Sequence, residues 1–309
     1  MDFGGGFPPH RTGGTPALRS QNGFQIAFGA GRWGDLLKPD HSLAQSPDLE
    51  RLRALLRTWR RVLVLFSGGI DSTLLLKIVA DLLGENSAAL TFEGPHRPTG
   101  ETLEARKITR LLGVRHLTED FDPFGLPDFR ENTPERCYAC KCEMYRRGWE
   151  IASKFEAEVL LDGTNLDDLN DTRPGLKAAQ EMGVRSPFLK IGWRKADIRE
   201  LSRVWQLPGW DRPPQSCLAT RFPAYTHLRS QDLQKVDQVE TFLGDKGFGP
   251  IRCRVHGDLV RLELPLQQRF RLLEPETLTA LNLMIREQGW RYATLDLRGY
   301  QTGSMNLRE

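Results

Sequence analysis

The stretch Val62-Leu63-Val64-Leu65-Phe66-Ser67-Gly68-Gly69-Ile70-Asp71-Ser72 decides the fold. Its five leading apolar residues predict a buried strand, and Leu74-Leu75-Leu76 beyond it predict a helix. A glycine-rich turn between a strand and a helix exposes backbone N–H groups, and the helix N-terminus adds a partial positive charge. The sequence therefore predicts a site for an anion such as phosphate.

The turn is not a Walker A loop, because the chain contains no Gly-x-x-x-x-Gly-Lys-Ser/Thr. The string Ser-Gly-Gly-Ile-Asp-Ser at 67–72 instead resembles the PP-loop of ATP pyrophosphatases, which adenylate a substrate and release pyrophosphate. A plain Gly-Gly turn is the alternative. Asp71 and the serines on either side of the glycines favour the phosphate loop.

Length and composition exclude several protein classes. With 309 residues the chain is long enough for two domains. Its 43 Lys and Arg nearly balance 40 Asp and Glu, so no nucleic-acid partner is expected. No apolar stretch reaches the roughly 18 residues of a membrane span, and no signal peptide is visible, so we expect a cytoplasmic protein. Five cysteines, an odd number, argue against a disulfide framework.

The pattern along the chain predicts an α/β fold. Residues 1–45 have a Gly-, Pro- and Arg-rich beginning without periodicity, which is typical of a disordered or poorly ordered tail. Strands and helices then alternate, which predicts a parallel sheet with helices on both faces. Strands are expected at 61–66, 87–92, 114–118, 158–161 and 185–189, and helices at 47–60, 72–84, 100–112, 139–155, 174–182 and 195–206.

A Pro-rich connector at 207–229 separates this region from a smaller α+β region, with helices near 230–244 and 275–288 and strands near 251–256, 258–264 and 292–297. The predicted domains are therefore 46–228 and 229–309. In parallel sheets ligands bind beyond the carboxyl ends of the strands, which is where Ser67 falls.

An acidic stretch, 162–175, follows the predicted strand at 158–161, so its side chains should lie at the same sheet edge as the phosphate loop. Carboxylates such as Asp168 could hold Mg²⁺, which prefers oxygen ligands. Arg173 could bind a phosphate or a carboxylate through its guanidinium fork. An acidic cap ahead of the helix at 174 explains the same residues equally well.

Three cysteines cluster at Cys137, Cys140 and Cys142. The Cys-x-x-Cys pair suits a zinc ion, an iron–sulfur cluster or a redox pair, and its spacing does not choose among them. Cys217 stands alone in the connector near Arg212 and Arg221. Neighbouring cations favour a nucleophilic thiolate, whereas a lone cysteine is often an inert buried residue.

Arginines mark the smaller region. Arg252, Arg254 and Arg261 are expected on one strand face, near a Thr-Gly-Ser turn that contains Ser304. This face suits a small molecule with a phosphate group, and a solvated strand face is the alternative.

Several stretches together resemble the LarE family, the sulfur transferases that build the nickel-pincer nucleotide cofactor of lactate racemase. The resemblance covers roughly 60–309. It rests on SGGIDS (67–72), RCYACK (136–141), DGTNLDDLNDTRPGLKAA (162–179), CLATR (217–221), IRCRVHGDLVRLEL (251–264) and GYQTGSMN (299–306).

The resemblance implies that ATP and Mg²⁺ adenylate a carboxylate of pyridinium-3,5-biscarboxylic acid mononucleotide, and that sulfur then displaces AMP. It implies catalytic roles for Cys217, Asp71 and Glu240. The implied nucleotide site consists of Ser67, Gly68, Gly69, Asp71, Ser72, Asp168 and Arg173. The implied substrate site consists of Arg221, Arg252, Arg254 and Ser304.

The family uses two sulfur sources. In one, a lone cysteine gives up its own sulfur; in the other, three cysteines hold a [4Fe-4S] cluster that carries an exchangeable sulfide. Cys137, Cys140 and Cys217 match the cluster type, although Cys142 is a further candidate ligand. A homo-oligomer and a downstream nickel-insertion protein are implied partners. A tRNA thiolase and a non-catalytic nucleotide- and metal-binding regulator are the alternative functions.

Overall fold

The computed structural model describes residues 46–170, 174–213 and 215–301. The predicted tail at 1–45 lies outside these residues. The described residues belong to one compact unit, Lys38–Glu309, which contains two separate β-sheets.

The first sheet has four parallel strands in the order β3-β2-β1-β4. Their bounds are β1 Val62–Leu65, β2 Ser87–Glu93, β3 Arg115–Asp120 and β4 Val159–Leu161. Among the described residues, eight α-helices accompany them: α1 Pro47–Leu56, α2 Ile70–Leu83, α3 Thr99–Leu112, α4 Pro127–Arg130, α5 Arg136–Lys154, α6 Pro174–Glu181, α7 Pro187–Ile191 and α8 Lys195–Val204.

Alternation along β1 shows how the sheet is covered. Val62 and Val64 pack into a cluster with residues of α1, α2, α3 and α8. Leu63 packs into a second cluster with residues of α5 and α6. Successive strand residues point to opposite faces, so helices cover both sides, and the predicted α/β fold is confirmed.

The expected strand at 185–189 is wrong. Only Arg185 bridges to Leu161 of β4, and the chain continues into α7. Ser186 precedes Pro187, and a proline is favourable at the first position of a helix, where its missing N–H costs no hydrogen bond.

The second sheet has three strands in the order β5-β6-β7: β5 Arg252–His256, β6 Leu259–Glu263 and β7 Tyr292–Leu295. Strands β5 and β6 are antiparallel, and β7 joins β6 in parallel. The helices α9 Ser230–Asp245, α10 Arg269–Leu272 and α11 Pro275–Glu287 lie in the same part of the chain.

The connector at 207–229 is more ordered than predicted. It contains a short 3₁₀ helix, Leu218–Arg221. Leu218 and Phe222 are buried in one apolar cluster with α9 and the second sheet. Packing of these apolar residues therefore fixes the turn that carries Cys217. The predicted boundary between 228 and 229 stays a prediction.

Candidate active site

The loop after β1 has the geometry of an anion site. Gly68 adopts φ +80°, a conformation that favours glycine, and Gly69 caps α2 without a side-chain hydrogen bond. The Ser72 hydroxyl lies 3.2 Å from that of Ser67 and donates to the Gly69 carbonyl at 3.0 Å. The serines therefore shape the loop, and the N-terminus of α2 follows it directly.

The segment after β4 lies directly against this loop. A Cβ atom on Gly163 would stand 2.9 Å from both the Asp71 carbonyl carbon and the Ser72 nitrogen. Strand β1 leads to β2 on one side, while β4 lies on its other side. The two loops thus meet where the strand order reverses, the usual ligand crevice of such sheets.

Asp71 is the acidic centre of the crevice. Its carboxylate pairs with Lys195 and accepts a hydrogen bond from Asn165 at 3.4 Å. Burial raises the pKa of Asp71, the Lys195 ammonium opposes this, and the Asp168 carboxylate adds to the rise. The predicted meeting of Asp71 and Asp168 at one sheet edge is therefore confirmed.

Lys195 was missed by the sequence reasoning. It is the first residue of α8, where the partial positive charge of a helix N-terminus disfavours a cation. A lysine at that position signals a partner elsewhere, and this partner is Asp71. Two predicted contacts, Arg173 and Ser304, lie outside the described residues.

The cysteines of the Cys-x-x-Cys pair lie on α5, which starts three residues earlier than predicted. Cys137 and Cys140 are three residues apart and share one side of the helix. Cys142 lies elsewhere on the helix and interacts with the Tyr138 hydroxyl. Cys137 is exposed, whereas Cys140 and Cys142 are half-buried.

The turn at Cys217 comes close to this pair. Burial, followed by the neighbouring charges of Cys217 and Cys137, raises the pKa of Cys140. Burial raises the pKa of Cys217 to about 11, and Cys137 also contributes to the rise. The structure therefore brings the three thiols within electrostatic range of one another.

Of the two alternatives for Cys217, a thiolate favoured by cations and a buried thiol, the direction of its pKa favours the second. Arg136 and Arg221 do favour its thiolate, but desolvation outweighs them. Arg212, the other predicted cation, instead pairs with Glu104 at 3.0 Å. Across the described residues, no three His, Cys, Asp or Glu side chains are grouped to hold a metal ion.

Arg221 is fully buried beneath the Cys217 turn. It donates to the Ser216 carbonyl at 2.8 Å and to the Cys217 carbonyl at 3.1 Å. Glu240 of α9 pairs with its guanidinium at 2.9 and 2.8 Å and also accepts from the Cys253 N–H at 2.8 Å. The ion pair fixes the backbone of the turn to α9 and β5.

The three predicted arginines lie together on the second sheet, since Arg254 and Arg261 are cross-strand partners and Arg252 is two residues along β5. Arg252 and Arg254 are buried, which excludes a solvated strand face. Arg254 donates to the Thr220 carbonyl at 2.9 Å and pairs with Glu263. The arginine face therefore adjoins the Cys217 turn.

Comparison with known proteins agrees with this geometry. Residues 61–126 match the family model of the queuosine biosynthesis protein QueC. The chain is 36% identical over 258 residues to an uncharacterised protein of Synechocystis, covering 84% of this chain and 96% of that one. It is 34% identical to the pyridinium-3,5-bisthiocarboxylic acid mononucleotide synthase of Lactiplantibacillus plantarum over 82% of this chain and 92% of the relative.

The chain belongs to the LarE family. The relative named as a synthase and the PP-loop match together support an ATP-dependent sulfurtransferase. The LarE-like stretches at 67–72, 162–170 and 217–221 are the segments that line the crevice and the cysteine turn. In the part of the chain that is described, no helix is long and apolar enough to cross a membrane.

Proposed function

We propose that this enzyme adenylates the carboxylates of pyridinium-3,5-biscarboxylic acid mononucleotide and converts them to thiocarboxylates for the nickel-pincer nucleotide cofactor. One observation carries the proposal: the buried Arg254 donates to the carbonyl of Thr220, three residues from Cys217. A phosphate held by the arginine face would therefore place the rest of the nucleotide beside the sulfur-bearing turn.

Charge supports Arg252 and Arg254 as ligands of the substrate phosphate. Burial and then the charge of Arg221 lower the pKa of Arg252, so positive charge is concentrated there. A buried guanidinium with such neighbours binds an anion well, because the anion relieves the repulsion.

The ATP site follows from the crevice. Ser67, Gly68, Gly69 and Ser72 would bind the phosphates through the loop and the helix N-terminus. Asp71 and Asp168 would hold Mg²⁺ through carboxylate oxygens. Arg173 as a further phosphate ligand stays a prediction.

Activation and transfer are two balanced displacements. A substrate carboxylate oxygen attacks the α-phosphorus of ATP, and pyrophosphate leaves. Sulfur then attacks the acyl carbon, and AMP leaves with the carboxylate oxygen. Arg221 and Glu240 would keep the Cys217 turn in place for the second step.

Cys137, Cys140 and Cys217 are the proposed ligands of a [4Fe-4S] cluster. Their mutual electrostatic effects support the assignment, and thiolates are the ligands such clusters take. They do not converge as ligands of a single ion would, but a cluster bonds each thiolate to a different iron. With three protein ligands, the cluster would supply one open iron site for an exchangeable sulfide.

The alternative sulfur source is Cys217 itself. Its thiol would attack the adenylate, and subsequent elimination would leave dehydroalanine in the chain and the sulfur on the product. This route needs neither Cys137 nor Cys140, so substitution of these two cysteines distinguishes the two mechanisms. A homo-oligomer, a cytoplasmic location and a nickel-insertion protein as the next partner stay predictions.

Anaerobically purified protein tests the proposal. With ATP, Mg²⁺ and the pyridinium dicarboxylate mononucleotide it should release pyrophosphate and form the thiocarboxylate, as seen by mass spectrometry. Iron and acid-labile sulfide should be present in the unmodified protein. The variants Cys137→Ser and Cys140→Ser should each lack the iron and the acid-labile sulfide. Cys142→Ser is the matched control on the same helix and should retain them.

A protein without iron that loses the mass of hydrogen sulfide at Cys217 on turnover would establish the sacrificial route instead. Absence of pyrophosphate release with this substrate would contradict the proposed function.

A further inference from the structure

A short segment, residues 94–101, joins the phosphate loop to the cysteine turn. We call it the bridge segment; it runs from the end of β2 into the first turn of α3. On one side, Arg97 donates to the carbonyl of Ser67, in the phosphate loop, at 2.6 Å. On the other side, the carbonyl of His96 accepts the N–H of Leu218, next to Cys217, at 2.8 Å. The same eight residues therefore contact both halves of the site.

Glu101, the last residue of the bridge segment, fixes the side chain of Arg97. It pairs with Arg97 at 3.1 Å, and only 15% of its side chain is exposed. Burial raises the pKa of Glu101, while Arg97 and, more weakly, Arg221 and Arg252 oppose the rise. Glu101 thus fixes Arg97, which binds the phosphate loop, and the charges of Arg221 and Arg252 act on Glu101 from farther away.

The start of α3 also binds α9, the helix that carries Glu240. The Thr99 hydroxyl donates to Asp237 at 2.5 Å, and the Thr99 N–H donates at 3.2 Å. A movement of the bridge segment would therefore displace the cysteine turn through the hydrogen bond between His96 and Leu218, and through the Asp237 carboxylate on α9.

We propose that Arg97 and Glu101 are positioning residues that couple occupation of the phosphate loop to the order of the Cys217 turn. ATP that binds at 67–72 fixes the Ser67 carbonyl and hence Arg97. Glu101 holds Arg97 in place, and the bridge segment carries that constraint to the cysteine turn through the His96 carbonyl, which accepts the N–H of Leu218. The adenylate is then presented to a turn that is already in place, and sulfur reaches the acyl carbon before water does.

Hydrogen exchange tests the coupling without reference to the substrate. The full chain is incubated with Mg²⁺ and α,β-methylene ATP, which cannot be split between its α- and β-phosphates. In the unmodified protein, amides at 67–73 and at 216–222 should both exchange more slowly, by about threefold or more. Glu101→Gln removes the charge with little change of shape, and it should keep the protection at 67–73 and lose it at 216–222.

Glu101→Asp keeps the charge and should restore part of that protection. Glu150→Gln, which removes an exposed partner of Arg146 on α5, is the matched control and should behave as the unmodified chain. The coupling would be overturned if the amides at 216–222 of the unmodified protein exchanged at the same rate with and without α,β-methylene ATP. Equal protection in Glu101→Gln would overturn it too, and so would loss of protection at both peptides, because ATP binding itself would then depend on Glu101.

A second readout rests on the proposed function. Water that attacks the adenylate returns the carboxylate and AMP, so uncoupling raises the ratio of AMP to thiocarboxylate. Glu101→Gln should raise this ratio by about threefold or more in protein that circular dichroism shows to be folded. An unmodified protein that makes no thiocarboxylate but shows the coupled protection would contradict the proposed function alone.

Discussion

Arg221 and Glu240 form a buried bidentate ion pair, with N–O distances of 2.9 and 2.8 Å, directly beneath the cysteine turn. The pair lies between a 3₁₀ helix and α9, so it fixes two consecutive elements of the chain to each other. A buried charge without its partner is costly, because the protein interior solvates it poorly.

Glu240→Gln should therefore destabilise the protein by about 3–5 kcal/mol, since the Arg221 guanidinium stays buried without a countercharge. Urea unfolding followed by circular dichroism measures the change. Glu150→Gln breaks an exposed pair with Arg146 and should cost less than about 1 kcal/mol. Equal losses of unfolding free energy in the two variants would show that the buried pair stabilises the protein no more than the exposed pair does.

Gly163→Ala should weaken ATP binding, because the added Cβ would lie 2.9 Å from backbone atoms of Asp71 and Ser72. Backbone cannot move aside as a flexible side chain can, so the phosphate loop must shift. We expect a loss of about tenfold or more in affinity for α,β-methylene ATP by calorimetry. Gly244→Ala, with nothing within 4 Å of the added carbon, should bind as the unmodified chain does.

The crevice itself was predictable from local patterns. The apolar run before Ser67 and the strand before Asp162 placed both loops at one sheet edge, since parallel strands end at the same side. The pairing of Asp71 with Lys195 was not predictable in this way. These residues are 124 positions apart, and only the packing of α8 against α2 brings them together.

The burial of the cysteine turn could not be predicted from the sequence. The flanking arginines were visible in the sequence, but the burial of Leu218 and Phe222 was not, because proline-rich composition predicted a loose connector. Burial outweighs the two arginines and raises the pKa of Cys217, which the flanking residues alone left open. Charge near a residue can be read from neighbours in sequence, whereas desolvation depends on the tertiary fold.

Lys195→Met should lower the affinity for ATP and Mg²⁺. The change removes a cation beside the phosphate loop and leaves Asp71 facing the Asp168 charge alone. Charge-assisted contacts contribute about 1.5–3 kcal/mol, so we expect roughly a 10- to 150-fold rise in the ATP dissociation constant. Lys177→Met on α6, whose side chain is 69% exposed, is the control. Unchanged binding in Lys195→Met would place Lys195 outside the ATP site.

Cysteine alkylation should distinguish the thiols by exposure and ionisation. In folded protein from which iron and sulfide have been removed, the exposed Cys137 should react with iodoacetamide first at pH 7, while the fully buried Cys253 should not react. Burial raises the pKa of Cys217 to about 11, so without a cluster the folded protein should hold it as the thiol at neutral pH. Its rate should rise about tenfold per pH unit from 7 to 10, because only the thiolate reacts. Peptide mass spectrometry follows each site, and a rate for Cys217 that is flat above pH 8 would contradict the raised pKa.

His96 should make the protein sensitive to acid. Burial, and then the charge of Arg97, lower the pKa of His96 from 6.5 to about 4. Between these values the unfolded chain binds a proton that the folded chain does not, so stability is present above 6.5 and is lost as pH falls towards 4. The difference amounts to about 3 kcal/mol at most. His96→Gln should remove this part of the pH dependence of the unfolding free energy, measured by urea titrations at several pH values. His227→Gln, at an exposed position, should leave it in place, and an unchanged slope in His96→Gln would show that other groups cause the acid sensitivity.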